Sequence, residues 1–174
     1  MKFSIHGPYK LPRSGKTMDH QAAAKRDFWN KVDGKEDISS GCGCYIFAMR
    51  AGKGVRPWYV GKAEKQAFYG EVFAAHKLNI YNSVVANQKG TPVLFLILKR
   101  TSKNKLKKPT KNKNGNKFIS ELEILLIGAA YRKNKKISNI KNSVTLKKMI
   151  VPGFMNSTHG ANKGSVRGFK TLVG

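Results

Sequence analysis

The chain has 174 residues, 40% of them apolar, so it can bury one substantial core and is predicted to form a single domain with an appendage. It carries 34 lysines and arginines against 9 acidic residues, a formal net charge of +25. This charge favours a polyanionic partner, nucleic acid ahead of an anionic membrane surface. No apolar run reaches the roughly 18 to 20 residues that span a bilayer, and no signal peptide is recognisable, so a cytoplasmic protein is expected.

The first 40 residues are predicted to form an N-terminal arm, and residues 41–174 the domain. The arm mixes proline, glycine, lysine and aspartate around one helix-like stretch, "QAAAKRDFWNKV". Phe28, Trp29 and Val32 in that stretch could dock on a core.

Two short apolar runs follow, and each carries a tyrosine beside a glycine. "CYIFAMR" and "PWYVG" predict two strands joined by the glycine-rich connection "AGKGVRP". They contain Gly43-Cys44-Tyr45 and Tyr59-Val60-Gly61. A purely structural explanation is available, because tyrosine favours half-buried strands and glycine tolerates a close backbone approach. Cys42 and Cys44 are interpreted as small buried residues in a reducing compartment.

The remaining elements complete an α/β pattern. Helical spacing extends from Glu64 to about Asn79, and "TPVLFLILK" predicts a central strand covered on both faces. A basic loop follows at about residues 100–117, without any acidic residue, and could be a phosphate-binding segment or a solvated spacer. "FISELEILLIGAAYRKN" predicts a helix that is apolar over most of its surface and therefore buried. Helices on a short sheet are the expected layer structure.

Glu123 is the most unusual acidic residue of the sequence. Its carboxylate lies among aliphatic residues in "SELEILLIG", where ionisation is costly unless a cation, hydrogen-bond donors or a metal ion pairs with it. The alternative is an exposed position on a mostly apolar helix.

Taken in order, these residues resemble the GIY-YIG nuclease superfamily over roughly residues 41–142. Tyr45 and Tyr59 occupy the positions of the two signature tyrosines, and "YVGKA" is similar to the nuclease domain of the bacterial excision-repair incision subunit. Glu123 resembles the metal-binding glutamate of the family, and Asn139 the asparagine that often follows its helix. The resemblance implies an α/β fold with a small three-stranded antiparallel sheet flanked by helices, to which this chain adds the N-terminal arm and the basic loop.

The resemblance also implies a metal-dependent endonuclease that hydrolyses phosphodiester bonds of DNA, with RNA not excluded. Tyr45 would activate or deprotonate the attacking water, and Tyr59 would orient water and phosphate. Glu123 would hold a divalent cation, expected to be Mg²⁺, at the scissile phosphate. A phenol is a poor base at its usual pKa of ~10, so positive charge from Lys62 or the metal ion would have to favour the phenolate.

One departure from the family pattern concerns an arginine that usually follows the second strand. Position 69 holds Tyr69 here, and "KQAFYGEVFAAHK" contains no arginine. Lys65, His76 or Lys77 could stabilise the transition-state phosphate instead, although His76 could equally be a surface residue. We predict His76 to be catalytic, and Lys65 and Lys77 to contact nucleic acid.

Further contacts to the nucleic-acid backbone are predicted from the basic segments. They comprise the loop lysines and the asparagine already mentioned: Lys103, Lys105, Lys107, Lys108 and Asn139. Two alternatives to an endonuclease remain. A degenerate nuclease fold could bind nucleic acid without hydrolysis, and a structural RNA-binding protein would also explain the charge.

Overall fold

The computed structural model describes residues 2–34, 36–110, 116–139, 164–167 and 171. The chain divides into two compact units, Met1–Ser138 and Asn139–Gly174. Within the second unit, residues 164–167 are helical. The elements and sites discussed below belong to the first unit.

The first unit alternates strands and helices. In chain order its elements are β1 (Lys2–Lys10), β2 (Arg13–Ser14), β3 (Thr17–Met18), α1 (Ala22–Asp33), a 3₁₀ turn (Ile38–Ser40), β4 (Gly43–Ala51), β5 (Gly54–Ala63), α2 (Phe68–Val72), α3 (Ala75–Asn87), β6 (Thr91–Arg100) and α4 (Lys117–Lys133). The two tyrosine-glycine runs are therefore strands β4 and β5, as predicted. An α/β fold is confirmed.

The prediction of a three-stranded sheet is wrong. The main sheet has four strands in the order β1-β6-β4-β5, with every neighbouring pair antiparallel, and β2 pairs with β3 in a separate two-stranded sheet. The additional strand, β1, comes from the segment that composition had suggested was an arm. Its pairing with β6 shifts register between His6 and Tyr9, around Gly7-Pro8. Proline and glycine weaken a strand pattern in sequence, yet an edge strand accommodates both.

The two faces of the main sheet bury different sets of residues. Tyr45, Phe47 and Leu96 belong to the larger core, together with residues of α1 and α3. On the opposite face, Cys44 and Ile97 pack with helix α4. Both cysteines are free and buried, as expected.

Helix α4 is less buried than its composition predicted. Ile119 and Ile127 are inaccessible, but Ile124 is 54% exposed and Leu125 is 70% exposed. The prediction of a helix buried over most of its surface is therefore wrong. A single sheet face can cover only one stripe of a helix, whatever the composition of the others.

The start of the basic loop is ordered by backbone hydrogen bonds. The Thr101 amide donates to the Lys105 carbonyl at 2.8 Å, and the Lys107 amide donates to the Lys99 carbonyl at 3.0 Å. Leu106 forms an isolated bridge with Arg100. Residues 111–115 lie outside the described residues. Among the helices of the described part, none is both long enough and apolar enough to cross a membrane.

Candidate active site at the tyrosine strands

Tyr45 and Gly61 are direct partners across strands β4 and β5. The ring of Tyr45 lies so close over Gly61 that a methyl group at that position would collide with it. Tyr45 is 0% exposed, and burial raises the pKa of its phenol well above the usual range. Its hydroxyl lies beside that of Tyr81, and neither completes a well-formed hydrogen bond in the described part of the chain. Gly61 thus makes room for a tyrosine ring.

Tyr59 forms the centre of a polar contact on the same face. Its hydroxyl oxygen accepts a hydrogen bond from Lys77 Nζ at 2.5 Å, and its ring centroid lies 6.2 Å from that of Tyr45. Lys77 reaches this position from the first turn of α3, and its ammonium also lies 3.5 Å from Glu71 Oε1. Because Lys77 donates to the phenol oxygen, the phenol's own proton can be donated to another acceptor.

Lys62 and Glu123 meet on the opposite face of the sheet. Lys62 is opposite Cys44 in register, which places it on the face covered by α4. Its Nζ lies 3.6 Å from Glu123 Oε2 and 3.2 Å from Glu64 Oε2, and donates to Ser120 Oγ at 2.7 Å. One ammonium therefore bridges two carboxylates.

The Tyr59–Lys77 pair and the Lys62–Glu123 pair are coupled electrostatically across the edge strand β5. Burial raises the pKa of Glu123, while the charges of Lys62 and Lys77 oppose that rise. The Glu123 side chain keeps 16% of its surface exposed. The two groups thus lie on opposite faces of the sheet at β5, linked by the effect of the Lys77 charge on Glu123.

The structure does not bring every predicted residue into this region. His76 and Lys65 are exposed, with His76 adjacent in sequence to Lys77 but on another side of α3. Of the loop lysines, Lys107 is half-buried and the others are exposed: Lys103, Lys105 and Lys108. Asn139 is buried and belongs to the second unit.

Several participants were missed in the sequence. Glu64 accepts a hydrogen bond from the Asn116 backbone amide, which ties the start of α4 to β5. Glu71 pairs with Lys77, and Tyr81 lies beside Tyr45. The sequence offered one usable signal: of only 9 acidic residues in the chain, Glu64 directly follows the second tyrosine strand and Glu71 lies in the next helix.

Glu123 and Glu64 are the two carboxylates near β5 that a divalent cation could use, and both already pair with the Lys62 ammonium. Mg²⁺ keeps several waters and is commonly held by one or two carboxylates together with substrate phosphates. Glu123 is partly exposed and can supply one such oxygen. Glu64 forms an ion pair with the same Lys62 ammonium. Within the described residues no group of three or more metal-ligating side chains is present.

Comparison with known proteins adds no relative: no family model, curated protein or solved structure matches the chain.

Proposed function

We propose that the protein is a metal-dependent endonuclease that hydrolyses phosphodiester bonds of DNA at the region around Tyr59 and Glu123. The observation that supports this proposal is that a Tyr59–Lys77 pair and a Lys62–Glu123 pair lie on the two faces of β5, with the Lys77 charge acting on Glu123. These groups combine a phenol, two cations and a partly buried carboxylate. The net charge of +25 supplies the attraction for a polyanion.

In this proposal the chain's residues bind and orient the phosphate. Lys77 places positive charge beside it, Lys62 adds positive charge from the Glu123 face of the strand, and Tyr59 donates its phenol proton to a phosphate oxygen or to water. Water attacks phosphorus and loses a proton to bulk solvent, the bond to the leaving oxygen breaks, and that oxygen takes up a proton from solvent. A Mg²⁺ ion at Glu123 would supply charge neutralisation at the phosphate. Tyr45 acts as a positioning residue, since its raised pKa disfavours the phenolate.

A second candidate is a nucleic-acid-binding module without hydrolysis. Two observations favour it: the Tyr45 hydroxyl is fully buried, and Lys62 already occupies one oxygen of the Glu123 carboxylate. A metal ion would have to compete with this ammonium.

The variant Glu123→Gln separates these candidates. Lys62 would keep Glu64 and Ser120 as partners, so the change leaves no isolated cation and the fold should survive. We expect Mg²⁺-dependent cleavage of plasmid DNA to be lost. DNA affinity should persist or rise, since a negative charge close to the phosphate has been removed.

Glu121→Gln provides the matched control on the same helix. Glu121 is 54% exposed, and within the described residues its ion pair is with the exposed Lys117 at 3.8 Å. The Glu121→Gln protein should cut at the wild-type rate. A folded Glu123→Gln protein that cleaves as fast as the control would refute the assignment of the site, whereas wild-type protein that binds DNA tightly and yields no product with Mg²⁺ would support the binding module.

A further inference from the structure

A strongly basic cavity lies at the end of strand β6, outside the region described above. It is open to solvent on one side and has a volume of about 480 Å³. Its lining consists of four cationic and two hydroxyl residues: Lys2, Lys99, Arg100, Thr101, Ser102 and Lys107. The volume is within the usual range of small-ligand sites.

The charges of this cavity are only partly compensated. Arg100 has a carboxylate partner, because its guanidinium forms two hydrogen bonds with Glu36, at 2.9 and 2.6 Å. In the part of the chain that the structure describes, no ion pair is formed by Lys2, Lys99 or Lys107. Lys99 is only 6% exposed, and burial together with the Lys107 charge lowers its pKa. The Lys99 ammonium itself is not a fully buried atom, so it can meet a ligand in the cavity, and like charges this close together attract an anion.

An exposed aromatic ring adjoins the cavity. The Lys99 ammonium lies 5.6 Å from the ring centroid of Phe118, and Phe118 is 49% exposed. An exposed ring next to a basic groove can stack a nucleobase. A ligand that joins a phosphate to a base would therefore satisfy both features.

We propose that this cavity binds the terminal phosphate of a nucleic-acid strand, with the adjoining base against Phe118. A phosphomonoester carries about −1.5 to −2 charges at neutral pH, which suits three uncompensated ammonium groups better than the single charge of a backbone phosphodiester. The inference rests on the proposed function only in that the ligand is nucleic acid. It does not require hydrolysis.

The test measures affinity in the presence of a chelator, so that cleavage plays no part. Short single-stranded thymidine oligonucleotides carry a phosphate at the 5′ end, at the 3′ end or at neither, and fluorescence anisotropy gives their dissociation constants. We expect one phosphorylated strand to bind roughly tenfold tighter than the unphosphorylated strand, as for a charge-assisted hydrogen bond. Equal affinity of all three strands, or no binding, would overturn the proposal.

Substitutions locate the preference. Lys99→Met and Lys107→Met should each reduce the end preference, and Phe118→Leu should weaken binding of the phosphorylated strand. Lys53→Met, at an exposed position in the β4–β5 turn, is the control. If Lys99→Met fails to fold, Lys107→Met and Phe118→Leu still test whether the cavity is the source of the end preference. An end preference that survives in all folded cavity variants would place the phosphate elsewhere and overturn the assignment.

Competition distinguishes the source of the phosphate. Thymidine monophosphate and inorganic phosphate are added to the complex with the phosphorylated strand. If thymidine monophosphate and inorganic phosphate both bind more weakly than the strand end, the result supports a polymer ligand. If thymidine monophosphate binds as tightly as the strand, the proposal of a polymer ligand is overturned and the ligand is a free nucleotide. Failure of hydrolysis would appear only in the separate Mg²⁺ assay.

Discussion

At the scale of single residues, Gly61 and Tyr45 show how a short motif constrains packing. The motif glycine is required by a neighbouring side chain, because the Tyr45 ring occupies the space where a side chain would begin. Gly61→Ala should therefore destabilise the fold by about 1–3 kcal/mol, the usual cost of overpacking a core. Urea denaturation measures the change.

The control for this prediction is Gly54→Ala at the start of the same strand. An added methyl group there would contact only the Ala51 carbonyl, at 3.7 Å. Its effect should stay within about 0.5 kcal/mol. Equal stability of the two variants would contradict the packing role of Gly61.

The choice of cation beside Tyr59 is also a residue-scale question. Lys77 donates to the Tyr59 hydroxyl, whereas the neighbouring His76 is exposed. Lys77→Met should lower cleavage by roughly 10²-fold or more, the scale of losing one electrostatic donor at the reacting phosphate. His76→Gln should have a smaller effect. Both are measured as kcat/KM on one DNA substrate, and the reverse order would favour His76 as the catalytic cation.

At the scale of elements, we expect the stability contributed by the contacts of His6 and Arg100, on β1 and β6, to depend on pH. The pKa of His6 is lowered from 6.5 by burial and by the Arg100 charge, against an opposing effect of Glu36. The pKa of Glu36 is lowered through its hydrogen bonds with Arg100. Both groups bind protons less readily in the folded state, so their contributions to stability are lost as pH falls.

This linkage predicts a falling melting temperature on acidification. The His6 contribution is complete above about pH 6.5 and decreases as pH falls through the folded pKa. Because much of the imidazole is exposed, solvent screening keeps this loss small. Glu36 contributes a further loss below about pH 4.5. In the His6→Gln variant, the melting temperature should change less with pH between about pH 7 and pH 5. An identical pH dependence in the variant would exclude His6 as the source.

At the scale of the whole molecule, the excess of positive charge determines how nucleic acid binds. Binding releases counterions, so log K should fall linearly with log salt, by about 0.9 for each neutralised phosphate. Replacing the four loop lysines with glutamine should weaken binding across DNA sequences and reduce the slope by up to about 3.6, if each contacts one phosphate. The four are Lys103, Lys105, Lys107 and Lys108.

The matched control removes the same charge elsewhere. Four exposed lysines outside the loop and the proposed site are replaced in one variant: Lys10, Lys31, Lys53 and Lys89. Salt titrations of both proteins give the two slopes. An equal reduction in both would mean that net charge alone, rather than the loop, determines affinity.

The sequence by itself determined the local elements with strong patterns. Alternating and continuous apolar runs predicted β4, β5 and β6, and the aliphatic run around Glu123 predicted α4. It also indicated that an ionised Glu123 carboxylate would need a cation, hydrogen-bond donors or a metal ion, and Lys62 pairs with it. These features follow from periodicity and from the cost of burying charge, and both can be recognised from residues that are close together in the sequence.

Only the tertiary structure decided the contacts between distant segments. β1 joined the sheet through pairing with β6, although its proline and glycine weakened the local signal. Lys77 rather than His76 reached Tyr59, because successive residues on a helix point about 100° apart and the docking of α3 selects between them. The Tyr45 ring covers Gly61 because antiparallel register makes them partners. Register and helix docking depend on the whole core, which no short stretch of sequence contains.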